Sequence, residues 1–118
     1  MIKIIEKTVE KVAILALEGK LTGLEGRGVI QDRVRDVAAK GKIKHVVLDL
    51  SKVMWIDSTG LGELIASLSS IKKNEGSLVL ASLQAPVQSL LKMTNLDQIF
   101  DIYDSVDTAL AKLNKVKA

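Results

Sequence analysis

Asp57-Ser58-Thr59-Gly60-Leu61-Gly62 sets a carboxylate, two hydroxyls and two glycines side by side, downstream of the apolar run Val46-Val47-Leu48-Asp49-Leu50. The apolar positions that follow, Leu61, Leu64, Ile65, Leu68 and Ile71, fall at i, i+3, i+4, i+7 and i+10, one stripe of an amphipathic helix. Ser58 and Thr59 therefore lie in or beside a first helical turn. Backbone N–H groups there lack intrahelical acceptors and the macrodipole is positive, so a phosphate added to a hydroxyl would meet donors and a favourable field. The glycines leave backbone bare enough for a partner to approach closely. Helix capping by Asp57, Ser58 or Thr59 is the second reading, because these residue types are common at helix starts.

Other chemistries find less support. Acyl transfer by Ser58 needs a base, and the sole histidine, His45, sits at the mouth of the preceding strand, where a solvent-facing strand edge is expected. The surrounding residues are not a G-x-S-x-G nucleophile elbow. Asp49 and Asp57 have no His or Cys at ligand spacing, so no metal site is expected, and Asp49 is assigned to capping the loop after its strand. Gly23, Gly26 and Gly28 run in the wrong order for a dinucleotide fingerprint and read as a flexible or tightly packed helix start. Met54 and Trp55 are expected to complete the core, with partner contact as the alternative. No catalytic residue and no cofactor are expected.

These residues must be positioned by alternating strands and helices. Ile2–Val9 and Val12–Leu17 read as a hairpin around Glu10-Lys11, followed by a helix over Gly23–Lys40, with Thr22 and Glu25 as a capping box and Gly41 as its stop. Next come a strand at Val46–Leu50, a helix from Ser58 to about Asn74, and a strand at Leu78–Ala81. Pro86 suits the first turn of a helix carrying Val87, Leu90 and Leu91 and ending near Asn95 in a left-handed stop. Ile99–Tyr103 forms a last strand, and a closing helix with Val106, Ala109, Leu110 and Leu113 follows Asp104. Strands separated by helices favour right-handed parallel crossovers, hence an α/β fold.

Composition narrows the classes further. With 118 residues and 47% hydrophobic content, the chain can close one core, and a single domain over 1–118 is expected. No apolar run reaches the ~20 residues of a membrane span and no secretory pattern opens the chain, so a soluble cytoplasmic protein is expected. There are no cysteines, which removes disulfides and thiol chemistry. Net charge is +3 with scattered lysines, and the aromatic residues are one Phe, one Trp and one Tyr, too few for a nucleic-acid stacking platform.

The run Val46–Val53 followed by Ile56-Asp57-Ser58-Thr59-Gly60-Leu61-Gly62-Glu63-Leu64 resembles the core signature of the STAS domain, shared by sulfate transporters and anti-sigma factor antagonists. Leu17-Glu18-Gly19-Lys20-Leu21 is similar to the family's Gly-x-Leu element, and Leu90–Phe100 to its later helix-turn-strand. The position after Gly-x-Leu, acidic in many antagonists, is Thr22 here. The resemblance spans roughly residues 3 to 112 and implies a four- to five-stranded mixed, mostly parallel sheet with successive βα units. It also implies that Ser58 is phosphorylated by an anti-sigma factor serine kinase and restored by a regulatory serine phosphatase. Asp57, Ser58, Thr59, Gly60, Leu61 and Gly62 would then form the partner-binding surface, whose unphosphorylated form frees a sigma factor. The family also holds constitutive scaffold subunits of stress-signalling complexes and cytoplasmic partners of lipid transporters, which are the alternatives. Neither nucleic acid nor membrane insertion is implied.

Overall fold

After an N-terminal hairpin, strands and helices alternate, and apolar periodicity decides which face each of them buries. The computed structural model describes residues 2–21, 28–39 and 43–117. Strands β1 (Lys3–Val9) and β2 (Val12–Leu21) pair antiparallel, with Val9 opposite Val12. Glu10 adopts the left-handed backbone that suits this two-residue turn, with φ 56°. Then follow α1 (Val29–Ala39), β3 (His45–Ile56), α2 (Ser58–Lys73), β4 (Ser77–Ala81), α3 (Ala85–Met93), a 3₁₀ turn at Leu96–Gln98, β5 (Asp101–Tyr103) and α4 (Val106–Lys117). The sheet runs β1-β2-β3-β4-β5, and every pair beyond the hairpin is parallel. The mixed, mostly parallel α/β sheet expected from the sequence is the one observed, with five strands.

Period-2 alternation splits the core in two. Ala13, Leu15 and Leu17 of β2, Val46, Leu48 and Leu50 of β3, and Leu78 and Leu80 of β4 face α1, α2 and α3. Val12, Ile14, Val47, Val79 and Ala81 point the other way, where Ala109 and Leu113 of α4 cover them. Central parallel strands are thus apolar on both faces, which is why Val46-Val47-Leu48 and Leu78-Val79-Leu80 read as unbroken runs.

Several expected boundaries shift. The helix expected from Gly23 begins at Val29 in the structure, and the Thr22/Glu25 box, Gly23, Gly26 and Gly41 lie outside the described residues. The expected strand over Ile99–Tyr103 shortens to three residues, because Ile99 and Phe100 donate their N–H groups to Leu96 O at 3.0 and 3.2 Å in a local turn. Asn95 takes the expected left-handed conformation, φ 61°. After Asp104, Ser105 caps α4, its Oγ accepting the Thr108 N–H at 3.1 Å.

The largest difference is in β3, which continues to Ile56 instead of ending at Leu50. β4 accompanies it only as far as Asp49, opposite Ala81. Beyond that point the β2–β3 register shifts twice: Ala16↔Asp49 gives way to Glu18↔Lys52, and Gly19↔Val53 to Leu21↔Ile56. Each shift sets one extra residue on β3, as a bulge does, and breaks the alternation of inward and outward side chains. Val53 and Ile56 are buried, whereas Met54 and Trp55 between them are 56% and 54% exposed. The expectation that Met54 and Trp55 complete the core is therefore overturned.

Candidate functional site

The start of α2 is fixed by its own backbone and by the end of β2. Asp57 is the N-cap: its backbone is extended (φ −101°, ψ −172°), and its Oδ1 accepts the Gly60 N–H at 3.0 Å. The Asp57 N–H in turn donates to Leu21 O at 3.3 Å, and Leu61 N–H donates to Asp57 O at 2.9 Å. Of the three residues that could cap, the structure gives the role to Asp57. Ser58 is the first helical residue and is exposed, and Thr59 is half-buried. No acidic side chain lies within the first turn of the helix itself. Asp57→Ala is expected to cost about 1 kcal/mol of stability, read as a lower urea midpoint at unchanged slope.

Gly60 and Gly62 turn out to do different things. Gly60 is buried, and a Cβ there would overlap the Leu21 carbonyl oxygen and come within 2.7 Å of Ile56 Cγ2. Its bareness lets α2 sit tightly on the ends of β2 and β3 and leaves nothing open to a partner. Gly62 is exposed, with nothing within 4 Å of an added Cβ. Ser58, Gly62, Ile65 and Ser69 are all exposed, and their spacing of four, three and four residues places them on one stripe of α2. Ile65 was expected in the buried stripe but is 41% exposed, because it lies one residue, about 100° of rotation, beyond the buried Leu64. Leu61 is half-buried and packs on the core.

Two features here escape sequence reasoning. Glu63 is 6% exposed, and its Oε1 accepts the Gln31 N–H at 3.5 Å, which gives one of the unpaired donors in the first turn of α1 an acceptor. Ser67, on the same flank, is fully buried and donates its hydroxyl to Glu63 O at 2.7 Å. Elsewhere, His45 is half-buried rather than solvent-facing, its Nδ1 2.6 Å from Ser77 Oγ, since the two are register partners in β3 and β4. This pair stands at the amino ends of the strands, whereas Ser58 follows the carboxyl end of β3. Asp49 Oδ1 accepts the Ser51 N–H at 3.0 Å, a local bond at the first register shift. Among the described residues no cluster of three His, Cys, Asp or Glu could hold a metal ion, and no helix is long and apolar enough to cross a membrane.

This arrangement, an aspartate-capped helix that presents an exposed serine beyond a parallel strand, can be set against known proteins. The STAS domain profile matches residues 3–109. The chain belongs to the STAS domain family. An anti-sigma F factor antagonist from Paenibacillus polymyxa is 29% identical over 105 residues, 89% of each chain. The crystal structure of a candidate anti-sigma factor antagonist from Thermotoga maritima superposes with a TM-score of 0.81 at 32% identity, covering 94% of each chain. The antagonist SpoIIAA, in its unphosphorylated form, shares the STAS fold at a TM-score of 0.81 and 12% identity, over 96% of this chain and 97% of its own. SpoIIAA is also known in a phosphorylated form, with a TM-score of 0.72 at 11% identity, covering 94% of this chain and 99% of that one. Relatives that match most of this STAS domain, from Paenibacillus polymyxa and Thermotoga maritima, are named as anti-sigma factor antagonists.

Proposed function

We propose that this protein is an anti-sigma factor antagonist whose docking on an anti-sigma factor kinase is switched by phosphorylation of Ser58. The observation that carries this reading is the division of labour at the start of α2. Asp57 takes the cap, so the Ser58 hydroxyl stands exposed at the first helical position and is not needed to hold the helix. A kinase can reach it without unfolding anything. The docking surface is built from Asp57, Ser58, Thr59, Leu61 and Gly62 with the exposed α2 stripe behind them. Gly60 supports that surface from beneath. ATP and magnesium belong to the kinase, and a serine phosphatase restores the binding form. The relatives named as antagonists and the fold shared with SpoIIAA support the reading.

The test is phosphorylation of the purified protein by each anti-sigma factor kinase of the source genome, followed by peptide mapping. One of these kinases is expected to label Ser58, and Ser58→Ala is expected to remain unlabelled. Phosphate found on Thr59 alone, or equal labelling of Ser58→Ala and wild type, would refute the assignment.

A further inference from the structure

The β3 extension leaves two large apolar side chains in water three and four residues before Ser58. Met54 and Trp55 are exposed because the second β2–β3 register shift sets them both outside the alternation, between the buried Val53 and Ile56. Bulges are uncommon between parallel strands, and they recur where a strand must re-aim side chains beside a functional site. Here the re-aimed residues include the only tryptophan of the chain. From this we infer that Met54 and Trp55 form an apolar anchor, seated in an apolar pocket of the same kinase that acts on Ser58. The inference rests on the proposed function above.

The occupant follows from reach. Trp55 is three peptide units from Ser58, so their Cα atoms are separated by no more than about 11 Å. A protein partner of standard interface size covers ~800 Å² on each side, a disc of about 16 Å radius. A kinase centred on the Ser58 hydroxyl therefore extends over the end of β3. Trp and Met are enriched in such interfaces, and a tryptophan inserted into a desolvated pocket commonly dominates binding. Lys20, exposed on β2 within the register gap opposite this pair, adds a positive rim, so the pocket is expected to carry acidic side chains at its border.

Binding of the purified anti-sigma factor kinases of the source genome to wild type, Trp55→Ala, Trp55→Phe and Met54→Ala is the test, measured by calorimetry and by the fluorescence of Trp55. The anchor predicts a blue-shifted Trp55 emission on binding, about thirtyfold weaker binding for Trp55→Ala, and a smaller loss for Trp55→Phe. All variants should keep the wild-type circular dichroism spectrum, because both side chains are exposed. Wild-type affinity in Trp55→Ala, or Trp55 emission unchanged on binding, overturns the anchor and leaves the proposed function standing. Failure of every kinase to bind wild type overturns both. A wild-type homodimer in sedimentation that Trp55→Ala dissociates, without any change in kinase affinity, overturns the anchor in favour of contact between copies of this chain.

Discussion

Gly60→Ala is expected to destabilise the fold by about 2 kcal/mol or more, whereas Gly62→Ala, two residues along the same helix, is expected to stabilise it by about 0.5–1 kcal/mol. In an unconstrained helix both changes would help, since alanine loses less conformational freedom than glycine. What separates them is the space around the new methyl group. At Gly60 it meets the Leu21 carbonyl oxygen, Ile56 Cγ2 at 2.7 Å and Leu21 Cγ at 3.1 Å. The two carbon atoms can move by rotation, but the oxygen belongs to backbone and already accepts the Asp57 N–H. Relief would require α2 to lift away from β2, weakening both that bond and the cap. At Gly62 the methyl group projects into solvent. With total stability of ~5–15 kcal/mol, the Gly60 change should lower the melting temperature by roughly 10 °C and the Gly62 change should raise it by a few degrees. Thermal scans of the two variants check this. Equal melting temperatures would show that α2 is not held against β2 as the structure has it.

The helix at this site was legible because two independent signals coincide, capping residue types followed by apolar residues at helical spacing. Which residue caps was not legible. Asp57, Ser58 and Thr59 all have suitable oxygens, and only the extended backbone of Asp57 decides among them. Likewise, both glycines read as bare backbone, and their contrast depends on Leu21, which lies far from them in sequence. Glu63 escapes the sequence pattern because its partner is a backbone N–H of Gln31, which composition cannot reveal. The central strands were readable from their apolar runs up to Leu50. Beyond it the two register shifts remove the alternation that marks a strand, so Met54 and Trp55 looked like loop residues folding inward. His45 looked solvent-facing for a related reason: its pairing with Ser77 depends on the β3–β4 register, which no local pattern encodes.

Ser58→Asp is expected to keep the fold and to lose about a hundredfold in affinity for the kinase. The fold should survive because Ser58 is exposed and no helix-holding bond depends on its hydroxyl, the cap being Asp57. A negative charge at the first helical position also interacts favourably with the macrodipole, by ~0.3–1 kcal/mol. Circular dichroism and melting behaviour should therefore match wild type or improve slightly. The interface has no such compensation. A phosphoserine brings about −1.5 to −2 charges and must shed water to be covered. One like-charge contact at ~5 Å with an effective dielectric of ~20 costs roughly 3 kcal/mol, which corresponds to the hundredfold loss. Phosphorylated wild type should bind at least as weakly as Ser58→Asp, because it carries more charge and more bulk. Ser58→Ala should bind like unphosphorylated wild type and remain bound in the presence of kinase and ATP. The comparison belongs in a calorimeter at one fixed salt concentration, since screening alone changes such energies. Equal affinities for wild type, Ser58→Asp and phosphorylated protein would remove the switch, and the same exposed surface would then serve a partner that stays bound whatever the state of Ser58.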